Sequence, residues 1–342
     1  REPVGLASAV ALTFMGTRLE KWPETMRNQM GTFFSRVAYK KTGEWKEEIV
    51  YPDPMKTDPL PVVFPDGSKL TIPAGKDPRV VFADWLLAPN NQWFSRAIVN
   101  RVWYWFMGRG IIHEPDDIRS TNPPVNPELL SYLQGELVKS RYDLKALYRL
   151  ILNSATYQQS SVPTSKQPQT EVLFAVYPVR RLDAEVLIDA LCWLSGDGQG
   201  YSSQVPEPFT WIPESHRAIT LADGSITSAF LEMFGRPPRD TGLESERNNQ
   251  PSDAQELYLL NSVDMQKKIE RSKMFQKFAE AAKGDRRAVI GSVYLAVLSR
   301  PPTDGELATA EKYYQTPGLT AKQAQDDLAW ALINSKEFLY RH

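Results

Sequence analysis

A single cysteine, Cys192, in 342 residues removes whole classes of construction from this chain. No internal disulfide, multi-cysteine metal site or covalently attached haem can hold the fold together, so packed apolar side chains must. The length suffices for one large domain or two ordinary ones, with a sizeable core. Apolar residues make up 42 % and charged residues 24 %, a globular balance rather than that of a disordered or membrane protein. Basic and acidic side chains number 40 and 41, a net charge of −1 that gives no electrostatic reason to expect nucleic acid or an anionic membrane as partner. One cysteine neither proves nor excludes an oxidising compartment. The nine Trp residues belong either to an aromatic-rich interior or to sticky surfaces.

Periodicity points to a mainly α, multi-helical chain with a small β-hairpin element near its N-terminus. The longest apolar run, Gly5 to Met15, is too short to span a bilayer and reads as a buried helix within a helical stretch over 5–38. Arg1 reads as a processing boundary, with any targeting segment lost before it. From Glu44 to Pro73 short strands and turns follow. Val62-Val63-Phe64 and Leu70-Thr71-Ile72 flank Pro65-Asp66-Gly67-Ser68, a hairpin signal because Asp-Gly accepts positive φ. The proline-rich run from Pro52 to Pro61 is the best boundary in the N-terminal part, which divides the chain into residues 1–76 and a helical domain over 77–342.

Helix signals then come in series. Asp77-Pro78 opens one helix, and the next runs from Trp93 to Met107 and stops at Gly108. Asn126-Pro127-Glu128 opens another through Lys139, and Asp143 caps one reaching Asn153. A helix is expected over Arg181–Leu194, ending at Gly196. A loop-rich insertion over 197–225 holds a short strand at Arg217–Leu221. Thr303 with Glu306 and Thr320 with Gln323 form capping boxes. Gly284-Asp285 and Pro301-Pro302 break the last helices. Asn-Ser follows an apolar run three times, at Asn153, Asn261 and Asn334. This reads as a helix-end device in which Asn takes the left-handed conformation and its amide satisfies loose carbonyls.

Four constellations could carry chemistry. Arg96, Asn100 and Tyr104 share one stripe of the helix from Trp93, with Arg101 beside Asn100. Such a stripe serves either an anion or sugar contact or, more commonly, a structural ion-pair network. Glu114, Asp116 and Asp117 form an acidic turn and are weak candidates for a hard cation, but the calcium-loop spacing is missing, and Asp before a helix start is equally a cap. Arg181, Glu185 and Asp189 fall at i, i+4 and i+8, a charge ladder that is solvated in the common case and a partner for Arg96 or Arg101 if buried. Arg236-Pro237-Pro238-Arg239, followed by Glu244, Glu246, Arg247, Asn248 and Asn249, makes a dense polar loop. A glutamate pair in it could do acid–base work if the two faced each other. No phosphate loop, dinucleotide fingerprint, zinc-helix motif or nucleophile elbow is present. With histidine only at 113, 216 and 342, a catalytic triad has few possible bases. No cofactor and no resident metal are expected.

Several stretches together carry a resemblance. They are Asn100-Arg101-Val102-Trp103 with Phe106-Met107-Gly108-Arg109-Gly110, Asp116-Asp117-Ile118-Arg119, Asn126-Pro127-Glu128, Asp143-Leu144-Lys145 leading to Asn153-Ser154-Ala155-Thr156-Tyr157, Arg181-Leu182-Asp183-Ala184-Glu185, Phe234-Gly235-Arg236-Pro237, and Trp330 to Phe338. Over roughly 77–342 the chain resembles domain of unknown function 1553, the planctomycete and verrucomicrobia type. Residues 5–38 look like the tail of its companion, domain of unknown function 1549. The resemblance implies large exported proteins, hence an extracytoplasmic setting, in genomes rich in polysaccharide-degradation genes. It brings no catalytic residues across. Relatives typically carry a Cys-x-x-Cys-His run between an Arg and a Trp where this chain runs from Arg18 through Leu19-Glu20-Lys21 to Trp22. Many also carry a Cys-x-Cys-Glu-Arg segment where it has Leu243-Glu244-Ser245-Glu246-Arg247. Loss of both suggests that the two segments form one site in relatives.

The leading expectation is a non-catalytic structural or binding module that has lost that site. Its partners would be assembly proteins or carbohydrate, with no nucleic acid and no membrane span. The alternatives are a polysaccharide hydrolase or lyase using Glu244, Glu246 or Asp117, and a subunit of a larger assembly.

Overall fold

The computed structural model describes residues 2–43, 48–164, 167, 169–203, 211–221, 224–237 and 243–341. The chain is mainly α with small antiparallel strand pairs, and it divides into two compact units. The first is Arg1–Pro178 with Gly242–Glu244, and the second is Val179–Thr241 with Ser245–His342.

The first unit opens with α1 (Pro3–Met15), which buries only the face carrying Ala7, Ala11 and Met15. The apolar run is therefore half-enclosed rather than wholly buried, and Phe14 remains exposed. Among the described residues no helix is long and apolar enough to cross a membrane. After α2 (Glu24–Thr32) come two hairpins, β1 (Val37–Lys41) with β2 (Glu48–Pro52) and β3 (Leu60–Val63) with β4 (Lys69–Ile72). The stretch expected to be helical through residue 38 thus turns to strand at Val37. The second hairpin forms on the Asp-Gly turn: the Asp66 carboxylate accepts from the Ser68 amide at 2.9 Å and hydroxyl at 2.6 Å, with Gly67 at φ 85°. Trp85 on α3 (Pro78–Leu86) donates to the other Asp66 oxygen at 3.0 Å, tying turn to helix. Phe33, Phe64, Phe82 and Trp85 fill the space between, with ring centroids 5.0–5.4 Å apart. A second core in this unit gathers α4 (Trp93–Met107), α5 (Pro127–Lys139) and α6 (Leu144–Leu152) around the fully buried Trp103.

The second unit begins with β5 (Arg180–Arg181), followed by α7 (Ala184–Ser195), α8 (Ala229–Met233), α9 (Asp253–Asn261), α10 (Val263–Glu270), α11 (Lys273–Ala282), α12 (Arg286–Leu298), α13 (Asp304–Tyr313), α14 (Ala321–Ile333) and α15 (Lys336–Leu339). β6 (Tyr340–Arg341) returns to pair with β5, Arg180 opposite Arg341, so the two ends of the unit close on each other. Leu187, Ile188, Leu191, Ile290, Val293 and Ile333 lie at its centre.

Caps set most boundaries, because a helix end leaves backbone donors that a nearby side-chain oxygen can satisfy. Asp77, Asn126 and Asp143 each accept from the first turn they precede, and both expected capping boxes form, with a further one at Ser252 and Gln255. The Asn-Ser device divides its labour. Asn153 and Asn334 donate side-chain N–H to the carbonyls four residues back, at 2.9 Å each, while Ser262 and Ser335 cap the helices that follow. The expected left-handed conformation is not used: Asn153 sits at φ −87° and Asn334 at φ −86°, because the amide already does the capping. The strand expected at Arg217–Leu221 is instead a single 3-10 turn over Ala218–Thr220.

Gly235 follows α8 at φ +87°, and a Cβ there would lie 1.8 Å from the Asn248 carbonyl oxygen. Gly235→Ala should therefore cost at least about 2 kcal/mol, from left-handed strain plus displacement of the 248 backbone. Urea denaturation checks this; an unchanged midpoint would show that the two segments separate freely.

Candidate functional site

Helix α4 presents a polar stripe to the inside of the first unit. Asn100 is wholly buried and behaves as a strand partner: the Ile112 amide donates to its side-chain oxygen and its NH2 donates to the Ile112 carbonyl, both at 2.8 Å. Arg101 ion-pairs with the buried Asp116 and donates to the carbonyls of Thr13 and Leu12, the end of α1. The other Asp116 oxygen accepts the Glu244 amide at 2.7 Å, and the Glu244 carboxylate accepts the Trp105 indole N–H at 2.9 Å. Arg96 donates to Gln92 at 2.7 Å and edges a hollow of about 260 Å³ beside Trp85 and Trp93.

The acidic turn does not converge. Asp117 is held by Lys21 at 2.9 Å and Arg119 at 3.1 Å, and Glu114 lies 3.5 Å from His113. Burial pushes the Asp117 carboxyl up, but the Lys21 hydrogen bond and the charges of Lys21 and Arg119 outweigh it, and the net shift is down. No cluster of three metal-ligating side chains occurs among the described residues. Nor does the turn cap a helix, since the next one begins only at Pro127. Lys21 and Glu244, far apart in sequence, reach consecutive residues of this turn.

In the second unit the expected Arg181–Glu185–Asp189 ladder dissolves. Arg181 precedes α7, in β5, where it donates to Gln255 and lies 4.9 Å from the Phe234 ring centre. Only Glu185 and Asp189 share the helix, and their side chains are enclosed rather than solvated, 4 % and 8 % exposed. Glu185, 3 % exposed, accepts two hydrogen bonds at 2.8 Å from Arg247, and the buried Arg236 lies 3.6 Å away. Arg236 also donates to the Ile226 carbonyl. Asp183 stands at the N-terminus of α7 without capping it, because Asn249, at 2.6 Å, and Arg341 take its carboxylate. Glu246 lies on a 3-10 turn over Glu244–Glu246; Pro238 and Arg239 lie outside the described residues.

Asp189 serves another purpose. It accepts the amides of Ala218 at 2.7 Å and Ile219 at 3.2 Å, which bends that segment into its 3-10 turn, and Arg217 sits 3.4 Å away. This forms one wall of an open cleft of about 870 Å³ beside α7. Gly198 presses against the Glu214 carbonyl, where a Cβ would come within 2.1 Å, and Gln199 donates to the same oxygen at 3.0 Å. Trp193 stands at the edge, 60 % exposed, with Asp197, Glu214 and His216 around it. Cys192 lies in the wall, its thiol pushed up by burial, and Lys268 is 3.9 Å from its sulfur.

Sequence reasoning missed Asp183, Asn249 and Arg341 as members of the Glu185 network, and Trp193 as the cleft's aromatic. The available signal was Asp183 itself, whose place before Ala184-Glu185 marks a helix start two residues beyond Arg181.

For Glu185 burial pushes the carboxyl up, but the hydrogen bonds and charge of Arg247 prevail and hold it below the usual glutamate value. A depressed carboxyl contributes stability that is complete above its unfolded pKa, about 4.3, and is lost as pH falls through its folded value. Glu185→Gln should cost about 3–5 kcal/mol at neutral pH by leaving two arginines unbalanced, and should flatten the acid limb of stability against pH below about 4. Urea melts of both proteins from neutral to acid pH check this; parallel curves would remove Glu185 from that role.

No curated protein and no solved structure matches the chain. The profile of the family described as "Protein of unknown function (DUF1553)" matches residues 78–314. That span takes in α3, the Asn100–Asp116 hub, Glu185 with Arg236 and Arg247, and the cleft beside α7, and the chain belongs to the DUF1553 family.

Proposed function

We propose that this chain is a non-catalytic structural and binding module of an exported protein, with the cleft beside α7 as its ligand face and carbohydrate as its ligand class. The observation that carries the reading is how the chain's buried carboxylates are employed. Asp116 is saturated by Arg101 and a backbone amide, Glu185 by Arg247 and Arg236, and Asp189 by two amides and Arg217. A general acid or base needs a proton that it can exchange with substrate, and these groups are committed to holding distant segments in place. The cleft supports binding: an exposed indole offers a flat apolar face for sugar C–H groups, and Asp197, Gln199, Glu214 and Arg217 offer hydroxyl partners around it. Export, and the reading of residues 1–76 as a companion-domain tail, rest on the sequence resemblance.

A hydrolase or lyase is the second reading, because Asp197 and Glu214 line the same cleft. A glycan panel separates the two. Binding without turnover is expected, with Trp193→Ala weakening retention in affinity electrophoresis by about tenfold while thermal stability holds. Turnover abolished by Glu214→Gln or Glu246→Gln would overturn the non-catalytic reading. Equal retention of wild type and Trp193→Ala would remove the cleft as the ligand face.

A further inference from the structure

Another concavity of the second unit, of about 680 Å³, lies between α13 and α14 beside α12. Tyr294, Tyr313, Tyr314 and Trp330 are its aromatic lining, with Leu328 among the aliphatic groups; Tyr294 and Tyr314 are buried, and Arg300 lies 5.7 Å from the Tyr294 ring centre, so Tyr313 and Trp330 are the rings open to a ligand. Two carboxylates complete it, and no Lys, Arg or His lines it. Glu306 is already ion-paired: Arg300, which also bonds Glu337, donates to it at 2.8 and 2.9 Å. Asp327 is different. It is exposed, and its contact is the Tyr313 hydroxyl, which donates to it at 2.7 Å. That bond uses the phenol's proton and leaves the carboxylate's charge uncancelled. The hydrogen bond and charge of Asp327 also push the Tyr313 pKa up, with burial adding to them, which keeps the phenol neutral.

The aromatic rings are held rather than loose. Trp330 donates its indole N–H to the Leu260 carbonyl at 3.3 Å, so what the side chain can still offer a ligand is its ring. Tyr314 is 6 % exposed with its hydroxyl buried and unpartnered, and burial raises it to about 12, so it contributes no negative charge of its own. Two accessible electron-rich rings, Tyr313 and Trp330, one carboxylate without an ion-pair partner and a lining free of Lys, Arg and His make a site that favours a cation and repels an anion. The volume is that of a small-molecule pocket rather than of a bare metal ion, and its apolar lining gives no oxygen cage for one.

From this we infer that the α13–α14 groove is a binding site for a small organic ammonium ion, a quaternary ammonium or protonated amine with an apolar body. The charged head lies against Asp327 and the rings of Tyr313 and Trp330, and the body lies over Leu328. The site is separate from the cleft beside α7, and its occupancy neither requires nor excludes carbohydrate there.

The test compares choline with its uncharged carbon isostere, 3,3-dimethylbutan-1-ol, by calorimetry on the whole chain, with the Trp indole N–H resonances followed by NMR. Choline should bind in the millimolar range and the isostere about tenfold more weakly or not at all, because shape is shared and only charge differs. Asp327→Asn, a surface change that leaves the fold intact, should erase most of that difference, and Trp330→Phe should weaken choline while keeping the preference for it. Trp193→Ala should leave choline binding unchanged. Equal binding of the two probes, no binding by choline through the millimolar range, or an Asp327→Asn protein that still prefers choline would each overturn the assignment.

Discussion

The carboxylate of Glu185 carries much of the second unit. It is nearly inaccessible to water, and it is held in a two-pronged bond by Arg247, with Arg236 beside it. An arginine meets a carboxylate with two parallel donors, which sets direction as well as distance. Arg247 and Arg236 come from segments far along the chain, so one charge on α7 orients both. Without disulfides to pin these loops, buried ion pairs of this kind take over the positioning. Their benefit is specificity of arrangement more than net stability, since charges pay for their own desolvation.

The first unit repeats the arrangement with other residues. Asp116 collects Arg101 from α4 and the backbone amide of Glu244, and Arg101 in turn closes the carbonyl end of α1. Asn100, one residue earlier, uses a neutral amide for the same end by pairing with both backbone groups of Ile112. In each unit the polar residues that stand out in the sequence thus form the internal frame. The two surfaces proposed to take ligands, beside α7 and between α13 and α14, are places where exposed aromatic rings meet carboxylates.

Much of the fold was legible from local chemistry. Asp77, Asn126, Asp143, Thr303 and Thr320 announce helices because a cap acts within three residues of itself. The hairpin around Gly67 was legible for the same reason. The candidate site was not. The i, i+4, i+8 spacing of Arg181, Glu185 and Asp189 is a true helical period, yet Arg181 belongs to a strand whose partner, Tyr340–Arg341, lies about 160 residues further along the chain. Likewise Arg217–Leu221 has strand character by composition, and it becomes a 3-10 turn because Asp189 captures its amides.

The sequence by itself determined where the capped helices start, that the chain is mainly α, that a lone thiol cannot staple it, and to which family it belongs. Those properties depend on neighbours a few residues apart or on motifs read in order. Tertiary structure alone decided which carboxylate meets which arginine, that Asp116 and Glu185 are buried while Asp327 is not, and that Trp193 and Trp330 reach the surface while Trp103 is enclosed. Burial and pairing across more than a hundred residues follow from how helices pack. The same side chain is a frame or a site according to what packing brings against it. Cys192 shows the same division: its solitude is a fact of sequence, and its half-buried place in the wall of the cleft is a fact of packing.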